Sequence, residues 1–232
     1  MLYKIKQLVF DFFHLFYPSI CCACGNHLYD GEECLCVSCH LSLPYTNDEY
    51  LLRNNTFKVF EGRVNINAAS SLFYFKKKSR VQNLLHYLKY KNHDELGTLL
   101  GAMHANVLLS SELFNGIDCI IPVPLHPNKL KKRGYNQALL LAKGYAEVLN
   151  VSVMKHALIR EIDTNSQTKK NRYQRYENMN EVFSCVDADA IAGRAVLLVD
   201  DVITTGSTLE SCAQALLKMG CSKVFIASTA LA

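Results

Sequence analysis

Two adjacent carboxylates followed by a turn rich in hydroxyls form the part of this sequence best suited to chemistry. Asp200 and Asp201 directly follow the apolar run 196–199, and residues 204–208 read T-T-G-S-T. A glycine-containing turn that enters a helix offers free backbone N–H groups and a positive dipole end to an anion. Carboxylates repel a bare phosphate, but they accept hydrogen bonds from sugar hydroxyls and bind Mg²⁺. The combination predicts a ribose-phosphate site.

The surrounding pattern predicts the elements that position these groups. The run 196–199 is continuously apolar, as in a strand covered on both faces, and the acids fall at its carboxyl end, where open α/β sheets bind ligands. Residues 207–219 predict a helix, and Ser207 and Glu210 have capping-box spacing. A Walker-B strand or an ordinary strand-to-helix turn is the alternative. No G-x-x-x-x-G-K-[ST] motif occurs in the chain, which disfavours a P-loop NTPase.

A cysteine-rich stretch near the N-terminus predicts a metal site. Cys21 and Cys24 form one C-x-x-C pair and Cys36 and Cys39 another, with eleven residues between the pairs. Two such turns direct four sulfurs at one ion, and four protein ligands leave no open position, so we expect one structural zinc. Reduced or disulfide-linked cysteines are the alternative. The residues that could replace a thiolate are Cys22, Cys34, His27 and His40.

Two basic stretches are candidates for binding anions. Lys129, Lys131, Lys132 and Arg133 follow a predicted strand, and a loop at a strand end can deliver cations to pyrophosphate. A second stretch interleaves cations with tyrosine, as in sites for single-stranded nucleic acid; its candidates are Lys169, Lys170, Arg172, Tyr173 and Arg175. Either stretch could instead be a solvated polar loop. For Lys89 the sequence favours a structural or surface role.

Composition and patterning indicate a globular protein with an α/β fold. The 232 residues carry a net charge of +4, which permits an anionic partner without requiring one. No apolar run is long enough for a membrane span, and without a secretory signal we expect a cytoplasmic, reducing environment. Residues 1–17 predict an amphipathic helix, 18–45 a small knob and 46–66 a polar linker. From residue 67, strands (68–75, 117–123, 195–200, 223–229) alternate with helices (80–90, 95–109, 136–149, 207–219), which predicts a mostly parallel sheet.

Several motifs together resemble the ComF family, which is similar to type I phosphoribosyltransferases. They are the four-cysteine knob, L-K-Y at 88–90, R-G-Y-N-Q at 133–137, R-x-x-D-T at 160–164 and the run V-L-L-V-D-D-V-I-T-T-G-S-T at 196–208. The resemblance implies a type I phosphoribosyltransferase-like sheet with flanking helices over 60–232, joined to a zinc-binding module over 1–50.

The resemblance also implies a ligand, phosphoribosyl pyrophosphate with Mg²⁺. The turn Thr204, Thr205, Gly206, Ser207 and Thr208 would bind its 5-phosphate, Asp200 and Asp201 its ribose hydroxyls, and Lys132 and Arg133 its pyrophosphate. The family is linked to natural transformation, which suggests single-stranded DNA and competence proteins as partners. By analogy, the 160–176 region would close over the substrate and the knob would cover the site. An enzyme acting on an unknown acceptor and a non-catalytic sensor are the alternatives, since no acceptor pocket or general base is evident.

Overall fold

A computed structural model describes residues 19–90, 94–160, 183–186 and 188–232. The predicted helix over 1–17 and the basic stretch 169–175 therefore lie outside the described residues. The helices are α1 Val37–Ser42, α2 Asn55–Lys58, α3 Arg80–Tyr90, α4 Asp94–Leu109, α5 Pro127–Arg133, α6 Gln137–Leu149 and α7 Ser207–Lys218. The strands are β1 Ala68–Tyr74, β2 Cys119–Pro122, β3 Ser152–Val153, β4 Leu158–Arg160, β5 Phe183–Cys185, β6 Ala195–Ile203 and β7 Lys223–Leu231.

Five of these strands form a parallel sheet in the order β1-β7-β6-β2-β3. The predicted parallel α/β architecture is therefore confirmed. The sequence did not predict β3, nor the antiparallel pair of β4 and β5. These strands have two or three residues each, too few for an alternating pattern to show.

The central strand β6 is buried on both faces, as its continuous apolar run predicts. Leu197 and Val199 pack into a core that α3, α4 and α6 share with the cysteine knob. Val196 and Leu198 point to the opposite face and pack with apolar residues of α7. Because both faces are covered, β6 presents polar groups to solvent only where it ends.

Helices α4 and α6 approach each other closely because glycines lie between them. A Cβ atom on Gly101 would lie 2.1 Å from the carbonyl oxygen of Leu141, and one on Gly144 would lie 2.0 Å from that of Thr98. No side chain fits at these distances. The contact fixes α6, whose first residue Gln137 lies beside the carboxyl end of β6.

The prediction that 46–66 is a polar linker is wrong. The segment contains a 3₁₀ turn, Asp48–Tyr50, and helix α2, and its side chains are bonded to β1. The buried Asn54 amide donates to the Ala69 carbonyl at 2.7 Å, and the Thr56 hydroxyl donates to Asp48 and contacts the Ser71 hydroxyl. Polar composition suggested solvation, but these groups satisfy one another inside the fold.

The cysteine knob packs against the first turns of α3. The Asn83 amide donates to the Ala23 carbonyl at 2.8 Å, and Arg80 donates to the Ser42 hydroxyl at 2.8 Å. Cys21, Cys22 and Ala23 belong to the same apolar cluster as α3. The division into parts at 1–50 and 60–232 stays a prediction. Within the described residues, no helix is long and apolar enough to cross a membrane.

Candidate functional site

A cleft opens at the carboxyl ends of β2 and β6, where the connections of the sheet diverge. From β2 the chain continues through α5 and α6 to β3 on one side, and from β6 through α7 to β7 on the other. Such a switch point is where open α/β sheets bind ligands. The cleft encloses roughly 270 Å³, and its polar lining includes Lys89, Lys129, Arg133, Asn136, Gln137, Arg160, Asp200, Asp201, Thr204 and Thr208.

The two acids lie together on the cleft wall. The Asp201 backbone N–H donates to Asp200 Oδ1 at 2.8 Å, and the Lys89 ammonium contacts Asp201 Oδ2 at 2.9 Å. Burial, and next the neighbouring charge of Asp201, raise the pKa of Asp200 to about 8. The pair therefore holds a proton readily at neutral pH, because burial and mutual repulsion outweigh the effect of the nearby lysines Lys89 and Lys129.

The turn after the acids leads into α7 with its N–H groups uncapped by a side chain. The N-cap residue is Gly206, whose φ of 74° is left-handed and favours glycine. The capping box predicted from Ser207 and Glu210 is wrong, because the helix begins at Ser207, one residue earlier than that motif needs, and Glu210 pairs with Arg63 instead. The turn wraps a small hollow lined by Asp200 and residues 202–209.

Cations reach the cleft from three elements. Lys129 and Arg133 project from α5, Arg160 ends β4, and Lys89 lies near the end of α3. Arg133 donates to Gln137 Oε1 at 2.7 Å, which directs its guanidinium along the wall. Four cations facing two acids and an open helix N-terminus suit a ligand with several phosphate groups.

Of the two residues that the sequence predicted for pyrophosphate binding, the structure places only one in the cleft. Arg133 lines the cleft, whereas Lys132 is exposed on α5 and is not among the lining residues. The sequence placed Lys129 in the basic stretch suited to pyrophosphate without singling it out, placed Arg160 in the region expected to close over the substrate, and gave Lys89 a structural or surface role; all three line the cleft. Helical spacing offered one signal, because Lys129 and Arg133 lie four residues apart and share a face of α5. No local signal linked Lys89 or Arg160 to the acids.

The four predicted zinc ligands form a single cluster. Sulfurs of Cys21, Cys24, Cys36 and Cys39 all lie within 4.8 Å of one another. Zn–S bonds of about 2.3 Å at tetrahedral angles place sulfurs roughly 3.8 Å apart, and the Cys24 and Cys36 sulfurs are 3.8 Å apart. The Cys36 N–H donates to the Cys21 sulfur and the Cys39 N–H to the Cys36 sulfur, both at 3.4 Å. The donor set fits a structural zinc.

The alternative ligands lie outside this cluster. Cys22 and Cys34 line a separate hollow with Tyr87 and Glu95, and His27 and His40 are exposed. The residues described for the knob, from Ser19 onward, also contribute nothing to the lining of the cleft. The suggestion that the knob covers the site is therefore not supported by its described part, which contacts the cleft only indirectly through α3.

Comparison with known proteins agrees with this arrangement. The Phosphoribosyl transferase domain family matches residues 136–231, which include β6, the acids and the turn. Competence protein F of Haemophilus influenzae is 37% identical over 108 residues, 46% of this chain and 47% of that protein. DNA utilization protein YhgH of Escherichia coli O157:H7 is 31% identical over 144 residues, 61% of this chain and 63% of that protein. Competence protein ComFC of Bacillus subtilis is 35% identical over 101 residues, 44% of this chain and 39% of that protein.

The matched segments thus span between 39% and 63% of these relatives. Within the described residues, the motifs that carried the resemblance contribute residues to the cleft and to the cysteine cluster, and the relatives carry competence and DNA-utilization names. Residues 136–231 thus match the phosphoribosyl transferase domain family, and the chain is similar to these competence and DNA-utilization proteins, which supports its resemblance to the ComF family.

Proposed function

We propose that this protein binds phosphoribosyl pyrophosphate together with Mg²⁺ in the cleft between β2 and β6. One observation carries the proposal: the acid pair and the open N-terminus of α7 share one cleft with four cations. A sugar that carries a phosphate at one end and a pyrophosphate at the other offers one anion to the helix N-terminus, one anion to the cations and its hydroxyls to the acid pair.

Each part of the cleft then has a role. The turn 204–208 binds the 5-phosphate through backbone N–H groups and hydroxyls. Asp200 and Asp201 accept hydrogen bonds from the ribose hydroxyls and are the residues that would face Mg²⁺, which supplies positive charge to the pyrophosphate. Arg133, Lys129 and Arg160 contact the pyrophosphate oxygens as charged donors.

We further propose that this protein acts in DNA uptake and that ligand binding in the cleft is part of that role. The support is the relatives' names, Competence protein F and DNA utilization protein. Single-stranded DNA and other competence proteins are the proposed partners, and α5 offers the cations Lys131 and Lys132 on an exposed surface. An active phosphoribosyltransferase is the second candidate, supported by the domain match.

Calorimetry and thermal unfolding test the ligand. At 100 times its dissociation constant, a ligand that binds only the native state stabilises it by about 2.7 kcal/mol. We expect a shift of this kind with phosphoribosyl pyrophosphate and Mg²⁺, and a weaker one when Mg²⁺ is omitted. Asp201→Asn and Thr205→Ala should each weaken binding because they remove a ribose or a phosphate partner.

Asp189→Asn is the matched control, since Asp189 is an exposed acid outside the cleft. It should bind as the unaltered protein does. Equal binding by all three variants, or no binding by the unaltered protein, would contradict the proposed ligand.

A further inference from the structure

We infer that Arg63 is a positioning residue that holds the anion-binding turn in its binding conformation, with Glu210 as its anchor. The inference rests on the proposed function and extends it to the segment that the sequence presented as a linker. Arg63 lies just after helix α2, far in sequence from the turn. It is not among the residues described as lining the cleft, so its effect on a ligand acts through the turn.

Three contacts fix the Arg63 guanidinium. Its Nη1 donates to the Thr205 carbonyl at 2.7 Å and to the Val59 carbonyl at 2.9 Å. Its Nη2 forms an ion pair with Glu210 in the first turn of α7. The planar fork of arginine allows all three at once, which a lysine ammonium on a flexible chain matches poorly.

The contact with the Thr205 carbonyl orients the N–H group of Gly206. Both groups belong to one peptide, which is trans and planar, so the carbonyl and the N–H point in opposite directions. Arg63 is not among the described residues that line the small hollow inside the turn, so we infer that the carbonyl it holds points away from that hollow. The Gly206 N–H is thereby directed toward that hollow, where the phosphate is proposed to bind.

The ion pair with Glu210 ties Arg63 to the first turn of α7. The N-cap of this helix is Gly206, which has no side chain to cap the first N–H groups. These N–H groups are therefore left for an external anion, and Arg63 connects the segment after α2 to the helix that carries them.

Apolar packing supports the same arrangement. A Cβ atom on Gly206 would lie 2.6 Å from Val59 Cγ1 and 3.0 Å from the ring of Phe60, which is fully buried. The segment that carries Arg63 thus also packs against the turn at Gly206, through Val59 and Phe60. A loss of the three polar contacts should loosen the turn while this packing still holds the segment in place.

Calorimetry with two separate probes, ribose 5-phosphate and inorganic pyrophosphate, tests the inference. Arg63→Ala should weaken ribose 5-phosphate binding about tenfold, which corresponds to about 1.4 kcal/mol, because the turn no longer holds the Gly206 N–H in place. Pyrophosphate binding, which uses the other end of the cleft, should stay within about twofold. Arg63→Lys should remain weak although it keeps the charge.

Arg53→Ala is the matched control, because Arg53 lies in the same segment and pairs with Glu61 at 3.3 Å without contacting the turn. It should leave both affinities unchanged. Equal weakening of both probes by Arg63→Ala, or full affinity in Arg63→Lys, would overturn the inference in favour of a general charge effect.

A measurement without ligand separates this inference from the proposed function. The ¹⁵N relaxation order parameter of a rigid backbone amide is about 0.85, and flexible amides fall below about 0.6. We expect Gly206 to be rigid in the unaltered protein and in Arg53→Ala, and to become flexible in Arg63→Ala. An unchanged Gly206 amide overturns the inference. If the unaltered protein binds no ribose 5-phosphate, the proposed function fails, and the order parameters still decide the role of Arg63.

Discussion

Among the residues that line the cleft, Asp200 has a carboxyl pKa far above the ordinary value for aspartate. Its carboxyl lies at the end of a buried strand, beside Asp201, and its pKa rises to about 8. A ligand that brings Mg²⁺ or a hydroxyl donor relieves this state by stabilising the ionised form. Strongly raised carboxyl pKa values of this kind cluster at functional sites.

The raised pKa predicts how stability depends on pH. The folded protein retains the Asp200 proton up to about pH 8, whereas the unfolded chain loses it near pH 4. Between these values the folded state binds more protons, so stability falls as pH rises, by at most about 1.4 kcal/mol per pH unit. This contribution is fully present below the unfolded pKa and is lost as pH rises through the folded pKa.

Asp200→Asn should therefore stabilise the ligand-free protein at pH 8 and have little effect on stability near pH 4. Thermal unfolding of both proteins across this pH range checks the prediction. The same variant should bind phosphoribosyl pyrophosphate more weakly, because an amide lacks the negative charge by which a carboxylate attracts Mg²⁺. A destabilised variant at pH 8 would show that the ionised carboxylate is supported by the fold.

Among the elements, the cysteine knob depends most on something beyond its own packing. It has few apolar residues, and its four sulfurs converge on one point. In modules this small the metal supplies much of the folding free energy. Its contacts with Asn83 and Arg80 connect that stability to α3, the helix that carries Lys89 to the acids.

We expect one zinc per chain in protein purified without chelators. Cys24→Ser should lose the metal and unfold the region 18–45, because three thiolates hold zinc less tightly than four. Cys22→Ser is the matched control, since Cys22 lies outside the cluster, and it should retain the metal. Elemental analysis measures the zinc content of each variant, and limited proteolysis detects unfolding of the region 18–45. Metal-free protein with an intact knob would rule out the zinc assignment.

At the scale of the whole molecule, the distribution of cations bears on DNA. Residues 129–133 form an exposed basic surface at the edge of the cleft, and the stretch 169–175 adds cations and Tyr173. If three to five phosphates are neutralised, the affinity for a single strand should fall with salt at a log–log slope of roughly −2 to −3.5. Sequence preference should be weak, because stacking and phosphate contacts read no base identity.

Fluorescence anisotropy with a labelled oligonucleotide across a salt series measures that slope. Lys169→Ala with Lys170→Ala should lower the affinity and flatten the slope, whereas Tyr173→Ala should lower the affinity alone. Phosphoribosyl pyrophosphate should compete with DNA at 129–133 and not at 169–175. An absence of binding at low salt would leave the ligand-binding function standing without DNA.

The sequence predicted those features whose signals are local. The apolar run of β6, the acids after it and the two C-x-x-C pairs lie in short segments, and each carries its own chemistry. Lys89 and Arg160 reach the cleft only through the fold, so no local pattern links them to Asp201. The segment 46–66 was misread for the same reason: the partners of Asn54, Thr56 and Arg63 lie in β1 and α7, and composition alone does not show them.

The strand order also has a consequence for how the chain folds. The first strand of the sheet, β1, pairs with the last, β7, so that Ala68 lies beside Phe225. Strand β6 lies between β2 and β7, so its second edge is paired only when β7 joins the sheet. In the sequence, β7 follows all the described elements that line the cleft. Contacts between distant segments form slowly because closing long loops costs entropy. We therefore expect the pairing of β1 with β7 to form late in folding, well after α4 and α6 have docked.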